Sequence, residues 1–255
     1  MDFFDSHAHY NDERFEETKD DLIKSMYKKE ITNIVCAGYS LEGSKKAIEI
    51  AKAYSHIFAT CGISPNDIGS NTDREIEEIE KLAQNDKVVA IGEIGLDYYW
   101  NKDNKDSQQK AFSKQIDVAN RLNLPIVIHS RDAWQDTIKM IKENPVKQKG
   151  VFHCCQLNQE LIKEAVKLDF YISFSGNITF KNAKSEGCVK LVPDDRILIE
   201  TDSPYLSPEP LRGTINTSEN VKLVAEKIAE IKGKTIEEIA NMTRENAARI
   251  FNIKL

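Results

Sequence analysis

Short apolar runs alternate with amphipathic helical patterns along the whole chain, and this alternation restricts the fold more than any other feature of the sequence. Several runs are apolar on both faces, which is typical of strands in a covered parallel sheet. Eight strands with helical returns need about 250 residues to form a (β/α)8 barrel, and the chain has 255. We therefore predict a single-domain TIM-type barrel over residues 1–255, with a doubly wound open sheet as the alternative. The runs span 3–9, 33–38, 57–64, 88–96, 126–130, 150–154, 171–175 and 197–201.

Local signals also predict where particular helices begin and end. The pairs Thr72–Glu75 and Thr235–Glu238 have the spacing of a capping box at a helix start. The pattern over 234–251 predicts extra C-terminal helices, namely two short ones packed around Thr243. A helix-turn-helix DNA reader has a similar pattern, but this segment is not basic. Packing against the barrel is therefore favoured.

Composition restricts the kind of protein further. The formal net charge of -6 disfavours nucleic-acid binding by bulk charge, but it permits an enzyme that holds a few phosphates through local cations or metals. No uninterrupted stretch of apolar residues exceeds four when glycine counts as a break, so no membrane span is predicted. Five scattered cysteines fit free thiols in a reducing compartment. We expect a cytoplasmic protein.

Histidines and carboxylates collect where the predicted strands end. His7 and His9 lie two residues apart on the first strand, so their side chains share a face. Glu93 interrupts an apolar strand, and a buried carboxylate is costly unless it is paired or bound to a cation. In a barrel the carboxyl ends of the strands converge on one mouth, where active sites are built. Three further strands end in a polar group of this kind: His129, His153 and Asp202.

Six nitrogen and oxygen ligands without a thiolate suit one crowded metal or, better, two adjacent metals that share a carboxylate. A two-metal site stabilises both the attacking and the leaving oxygen in phosphoester cleavage. Imidazoles with carboxylates suit Zn²⁺ or Mn²⁺, whereas Mg²⁺ prefers oxygen ligands and more water. The expected cofactors are therefore two divalent ions of Zn, Mn or Mg.

Five ordered segments resemble the signatures of the TatD family, which are metal-dependent deoxyribonucleases on a TIM barrel within the amidohydrolase-like superfamily. The resemblance implies that His7, His9 and Asp202 bind one metal, and that His129 and His153 bind the other. It also implies that Glu93 bridges the metals and that Asp202 orients the attacking water and accepts its proton. The segments are Asp5-Ser6-His7-Ala8-His9, Gly92-Glu93-Ile94-Gly95-Leu96-Asp97-Tyr98-Tyr99, His129-Ser130-Arg131-Asp132-Ala133, Phe152-His153-Cys154 and Glu200-Thr201-Asp202-Ser203-Pro204-Tyr205-Leu206.

Substrate contacts are predicted at four positions. Ser64 stands where the family usually has histidine, so it can donate a hydrogen bond to phosphate but cannot supply the same acid. Arg131 lies two residues beyond His129, placed either to clamp a phosphate or to form a rim ion pair. Trp100 offers a ring for base stacking. Arg212 lies in a loop that resembles a family P-x-R-G segment, with either a loop-ordering or a substrate-binding role.

These features together predict a hydrolase that cleaves phosphodiester bonds in DNA, acting on single-stranded or frayed ends with water activated by two metals. Two alternatives remain: an amidohydrolase-type enzyme for a C–N or carboxylic ester bond, and a metal-binding adaptor without enzymatic activity. Many binuclear amidohydrolases bridge their metals with a carboxylated lysine on the fourth strand. Here the fourth strand offers Glu93 and no lysine near it, which favours the phosphodiesterase.

Overall fold

The computed structural model describes all residues from Met1 to Leu255. Its strands are β1 (Phe3–Ala8), β2 (Ile31–Cys36), β3 (Ile57–Cys61), β4 (Val88–Asp97), β5 (Ile126–Arg131), β6 (Gly150–Phe152), β7 (Tyr171–Phe174) and β8 (Ile197–Ile199). Its α-helices are α1 (Lys19–Met26), α2 (Leu41–Ala53), α3 (Thr72–Leu82), α4 (Lys105–Leu122), α5 (Trp134–Glu143), α6 (Gln159–Lys167), α7 (Ser185–Val189), α8 (Val221–Lys232) and α9 (Ile236–Ile250).

The eight strands form one sheet in the sequential order β1 to β8. The pairings of β3 with β4, β4 with β5, β5 with β6 and β7 with β8 are parallel. Ala8 at the end of β1 also forms a parallel bridge with Ser203, just after β8, so the first strand meets the chain that leaves the last one. Sequential parallel strands that alternate with helices constitute the predicted (β/α)8 barrel fold.

Internal contacts divide the chain into two compact units, which we describe separately. The terminal unit comprises Met1–Val35 and His153–Leu255, and it holds β1, β7 and β8 with helices α1 and α6 to α9. The central unit comprises Cys36–Phe152, and it holds β3 to β6 with helices α2 to α5. That residues 1–255 act as one domain stays a prediction.

Burial accounts for the sequence pattern of both element types. All ten residues of β4 are buried, as expected of a strand covered on both faces. In α6, Leu161, Ile162 and Ala165 form the buried stripe, while Glu160 and Lys163 are exposed. Full burial of a large apolar side chain stabilises the fold by about 1.5–3 kcal/mol. None of the helices combines the length and the apolar character that crossing a membrane requires.

Strands β3 and β8 end earlier than their apolar runs predict. The run of β3 continues to Ser64, but the strand stops at Cys61, and the Gly62 N–H donates to the Ser44 hydroxyl at 3.2 Å. The run of β8 continues to Thr201, but the Thr201 N–H donates to the Asp5 carboxylate at 2.9 Å. Side-chain acceptors therefore replace the strand ladder at both ends.

One predicted capping box is confirmed and the other is wrong. At α9 the Thr235 hydroxyl accepts the Glu238 N–H, while the Glu238 carboxylate accepts the Thr235 N–H at 2.7 Å. Helix α3 begins at Thr72 itself, so Thr72 is not the capping residue. Its hydroxyl instead bonds the backbone N–H and C=O of Gly69, which closes the preceding turn.

The two short helices predicted around Thr243 are also wrong. Residues Ile236–Ile250 form the single helix α9, which follows α8 as the extra C-terminal helix. Thr243 is buried in its interior, and its hydroxyl donates to the Ile239 carbonyl at 2.8 Å. Because that bond satisfies the hydroxyl inside the helix, and the segment contains no glycine or proline, nothing interrupts the helix there.

Candidate metal centre

Two histidines of the terminal unit direct the same ring atom toward one point. His7 lies in β1, and His9 lies one residue beyond its end. Their Nε2 atoms are 3.1 Å apart, and their rings meet edge to face at 4.8 Å. Both side chains are buried. Their separation of two residues therefore places two imidazole nitrogens side by side, as a shared cation requires.

Asp202 faces this histidine pair from the segment that follows β8. Its Oδ1 lies 3.4 Å from His9 Nε2 and 3.7 Å from His7 Nε2. Two backbone bonds set this position, because the Asp202 N–H donates to the His7 carbonyl at 2.9 Å and the His9 N–H donates to the Ser203 carbonyl at 2.6 Å. The φ of Asp202 is 57°, a left-handed conformation that aspartate tolerates better than most residues.

The charge of Asp202 depends on its histidine neighbours. Burial opposes ionisation, but hydrogen bonding to His9 and the charges of His9, His153 and His7 outweigh it and hold the pKa of this carboxyl below its usual range. A carboxylate kept ionised is able both to bind a cation and to accept a proton.

Asp5 links β1, which carries His7, to the segment after β8, which carries Asp202. Its carboxylate accepts the Thr201 N–H at 2.9 Å and the Thr201 hydroxyl at 2.6 Å, and the side chain is fully buried. Burial raises the pKa of Asp5 to about 7 against the effect of those bonds. Asp5 therefore holds β1 and the chain after β8 together and does not face the histidine pair.

His153 and Glu200 extend the cluster. The His153 ring stacks on the His7 ring at 4.0 Å, with 14° between the planes. Glu200 is fully buried; its Oε1 accepts the Cys154 N–H at 2.6 Å and lies 3.4 Å from His153 Nδ1. One ligand atom from each of His7, His153 and Glu200 falls within 4.8 Å of the others.

One buried oxygen atom in this cluster indicates that the cluster is suited to a divalent cation. The second oxygen of Glu200, Oε2, is buried without a hydrogen-bond partner. A buried carboxylate oxygen in that position is costly unless a cation compensates it. Imidazole nitrogens and carboxylate oxygens without a thiolate are the donors that Zn²⁺ and Mn²⁺ accept.

The central unit contributes a second pair, Glu93 and His129. His129 Nδ1 lies 2.9 Å from Glu93 Oε1, and both side chains are largely buried. The pair belongs to the neighbouring strands β4 and β5, where Gly95 is the register partner of His129. Gly95 has φ 137°, and a Cβ there would lie 2.0 Å from the His129 carbonyl oxygen. Only glycine therefore allows β4 to approach β5 this closely beside His129.

Asp97 holds the other nitrogen of His129. Its Oδ2 lies 2.9 Å from His129 Nε2, and its Oδ1 accepts the N–H groups of Tyr99 and Trp100 at 2.9 Å each. Burial opposes ionisation of Asp97, but the bonds to His129 and to the Trp100 N–H outweigh it and lower the pKa of this carboxyl to about 2. With Nε2 bonded to Asp97, His129 directs its other ring nitrogen, Nδ1, toward Glu93.

Asp97 and Glu200 are the two site residues that the sequence reasoning missed. Both belong to motifs that were already identified, and both are fully buried. Asp97 lies four residues after Glu93, and Glu200 lies two residues before Asp202. Each is a carboxylate close in sequence to a predicted ligand, and a buried carboxylate is costly without a partner. That proximity in sequence is the signal that identifies them.

We expect Asp97→Asn to weaken metal binding about 10- to 100-fold, the usual cost of losing the carboxylate that orients a metal-binding histidine. Asparagine keeps the side-chain shape but removes the charge that holds His129 Nε2. Metal affinity is measured by competition with a chelator, and Asp73→Asn, an exposed carboxylate of α3, is the matched control. Equal affinity in wild type and Asp97→Asn would remove Asp97 from the positioning of His129.

The predicted substrate residue Ser64 is buried and engaged by its own loop. Its hydroxyl donates to Asp67 Oδ2 at 2.6 Å and accepts the Asn66 N–H at 3.2 Å. Burial raises the pKa of Asp67, partly offset by the hydrogen bond from Ser64. Ser64 therefore organises a turn next to a carboxylate.

Arg131 and Trp100 come together in the central unit. The Arg131 guanidinium lies 4.0 Å from the centre of the Tyr99 ring and 5.5 Å from that of Trp100. The two rings meet edge to face at 4.8 Å, and Trp100 is 65% exposed. Arg131 does not form the rim ion pair that the sequence also allowed, because neither Asp132 nor Asp97 pairs with it and Asp97 pairs with His129 instead.

Arg212 lies in the terminal unit, where its guanidinium covers the Phe180 ring at 4.2 Å. The contact orders the loop after β8 against the chain that follows β7. The structure thus provides a packing partner for Arg212 and leaves the guanidinium at the surface, since the residue is exposed.

The fold and these donor groups match one protein family. A family model described as TatD related DNase matches residues 4–252. The chain belongs to the TatD family of metal-dependent hydrolases.

Relatives at higher identity and solved structures agree with this membership. The uncharacterized metal-dependent hydrolase YabD of Bacillus subtilis is 43% identical, over 98% of this chain and 99% of its own length. The uncharacterized metal-dependent hydrolase YcfH of Escherichia coli is 36% identical, over 99% of this chain and 97% of its own length. The crystal structure of YJJV, a TatD homologue from Escherichia coli, has a TM-score of 0.92 at 24% identity, covering 99% of this chain and 98% of that one, which supports the fold.

Proposed function

We propose that this TatD-family hydrolase cleaves phosphodiester bonds in DNA with two divalent metals. The observation that carries the proposal is the cluster of Asp202 with the buried His7 and His9, in which Asp202 Oδ1 lies 3.4 Å from His9 Nε2 and 3.7 Å from His7 Nε2. A carboxylate that faces two imidazoles suits an enzyme that activates water next to a phosphate.

The residues divide this work between binding and proton transfer. His7, His9 and Asp202 would hold one metal, His129 and His153 the other, and Glu93 would serve both. When bound, the metals would supply positive charge that makes water acidic and neutralises the phosphate. A carboxylate oxygen of Asp202 would orient the attacking water and accept its proton. Asp97 keeps the His129 ring oriented through Nε2.

The composition of β4 supports phosphodiester cleavage over cleavage of a C–N bond. Within β4 the ionisable side chains are Glu93 and Asp97, and the strand contains no lysine to carry a bridging carboxylate. Ser64, Arg131, Trp100 and Arg212 remain proposed contacts to the substrate. Arg131, supported by two aromatic rings, is suited to hold a phosphate while an exposed ring stacks on a base.

The proposed substrate form and compartment follow from charge and cysteine chemistry. With a net charge of -6 the chain lacks bulk attraction for long duplexes, so short single strands or frayed ends are the proposed substrates. All five cysteines are free thiols, and four of them are buried, which fits the reducing cytoplasm.

Three small substrates separate this function from its alternatives. The protein, loaded in turn with Zn²⁺, Mn²⁺ and Mg²⁺, is incubated with a bis-aryl phosphodiester, a carboxylic ester and an amide. We expect hydrolysis of the phosphodiester that a chelator abolishes and added metal restores. Preferred hydrolysis of the ester or amide would establish the amidohydrolase alternative instead. Bound metal without hydrolysis of any substrate would indicate an adaptor.

A further inference from the structure

An arginine that the metal centre does not use lies beside it in the terminal unit. Arg14 belongs to the short 3₁₀ turn Glu13–Phe15 that follows β1. Its guanidinium lies 4.2 Å from the centre of the Tyr205 ring. Tyr205 in turn meets the His9 ring edge to face at 6.0 Å. One aromatic side chain therefore separates this cation from a proposed metal ligand.

The guanidinium of Arg14 is fixed in position by Asp12. Asp12 Oδ1 accepts Arg14 Nε at 2.8 Å and the Arg14 backbone N–H at 2.9 Å, while Oδ2 accepts Nη2 at 2.8 Å. The Tyr205 hydroxyl donates to the same Oδ2 at 3.2 Å. This arrangement restricts the side chain before any ligand binds, so less rotational freedom is lost on binding.

Some N–H donors of the Arg14 guanidinium remain available to a ligand. The two side-chain bonds to Asp12 use Nε and Nη2, so Nη1 lies outside this ion pair. The side chain is 38% exposed, so the donors that Asp12 does not use can reach solvent. Planar guanidinium donors match the oxygens of a phosphate and bind them through short, charge-assisted bonds.

We infer that Arg14 binds a second phosphate of the substrate, next to the phosphodiester that is cleaved. This inference rests on the proposed function and narrows it to substrates that carry at least two phosphates, as an oligonucleotide does. A small diester with one phosphate would occupy the metal centre and would not offer a second phosphate to Arg14. The Tyr205 ring, which is 45% exposed, contacts the cation with its face and meets the His9 ring in a T-shaped arrangement.

The alternative is that Arg14, Asp12 and Tyr205 only fix the conformation of the loop after β1. A structural role changes stability, and it affects small and large substrates alike. Phosphate binding instead changes KM for the larger substrate and the dependence of binding on salt. These readouts separate the two roles.

The test compares Arg14→Gln with wild type on a single-stranded oligonucleotide and on a bis-aryl phosphodiester. Losing charge-assisted bonds to phosphate is expected to raise KM for the oligonucleotide about 10- to 100-fold, with a change below about 3-fold in kcat/KM for the small diester. Arg121→Gln is the matched control, because Arg121 makes a similar two-bond pair with Glu80 on the helices of the central unit. Thermal midpoints are recorded for every variant.

Binding is measured separately from turnover, by fluorescence anisotropy of the oligonucleotide on metal-loaded protein in an Asp202→Asn background. The slope of log K against log salt should become shallower by about 0.7 when Arg14 is replaced, the value for one phosphate of a single strand. If wild type cleaves no phosphodiester, the proposed function fails, and this slope still decides the role of Arg14.

A second variant, Arg14→Lys, keeps the test decisive if Arg14→Gln fails to fold. Lysine keeps the positive charge and loses only the planar guanidinium donors. We expect its KM for the oligonucleotide to lie between those of wild type and Arg14→Gln, with the salt slope retained. An unchanged KM and slope in both variants, or equal losses on both substrates, would overturn the inference and leave Arg14 a structural residue.

Discussion

Glu93→Gln should reduce turnover of a phosphodiester by at least about 10³-fold and weaken the binding of both metals, with the fold retained. The physical reason is that Glu93 is the proposed ligand common to both metals, and glutamine removes the negative charge that two cations would share. The loss of several kcal/mol of transition-state stabilisation corresponds to a decrease in rate of about 10³-fold. The structure adds a second loss, because the 2.9 Å contact between Glu93 Oε1 and His129 Nδ1 would lose its charge.

The measurement combines metal content after dialysis with steady-state kinetics on the bis-aryl phosphodiester. Glu77→Gln, an exposed carboxylate on α3 of the same unit, is the matched control and should behave as wild type. Circular dichroism and the thermal midpoint establish that the fold is retained. Two tightly bound metals together with near-normal activity in Glu93→Gln would exclude Glu93 as the bridge.

Asp202→Asn is expected to lower kcat by about 10²–10⁴, the usual cost of losing a general base. Asparagine keeps the side-chain shape and one oxygen that faces His7 and His9, so a metal ligand of reduced strength remains. What disappears is the carboxylate that would accept the proton of the attacking water. The backbone bonds that position residue 202 are unaffected, since they use its N–H and the His7 carbonyl.

Activity is measured at saturating metal, so that weaker metal binding does not contribute to the loss. Asp195→Asn, an exposed carboxylate in the same unit, is the control. A loss below tenfold at saturating metal would show that another group accepts the proton. Asp202 would then be retained only as a metal ligand.

For Ser64 and Arg14, the sequence and the contacts in the structure give different information about a role in substrate binding. The sequence identified Ser64 as a departure from the family and predicted a weak phosphate contact there. Its hydroxyl donates to Asp67, a bond that depends on how the loop after β3 turns. Arg14 carried no signal in the sequence, because an arginine one residue after a glutamate in a charged loop is typical of a solvated surface.

The sequence by itself determined the alternation of strands and helices, and through it the class of fold. Periodicity is a local property, since the faces of a strand or helix repeat within a few residues. It also determined the candidate ligands, because a buried histidine or carboxylate at a strand end is costly without a partner. The errors fell where a polar side chain had two possible partners. Thr72 bonds Gly69 instead of capping α3, and Thr243 bonds within α9 instead of ending a helix.

Only the tertiary structure decided which groups meet. Asp202 faces His7 and His9 because β1 and the chain after β8 exchange backbone hydrogen bonds, although they lie at opposite ends of the sequence. Asp97 holds His129 because Gly95 allows β4 to approach β5 closely. Arg14 lies on Tyr205 because Asp12 bonds to both of them. Each of these contacts joins residues whose separation along the chain carries no information about their distance in space, so the closing of the sheet and the turns of the loops determine them.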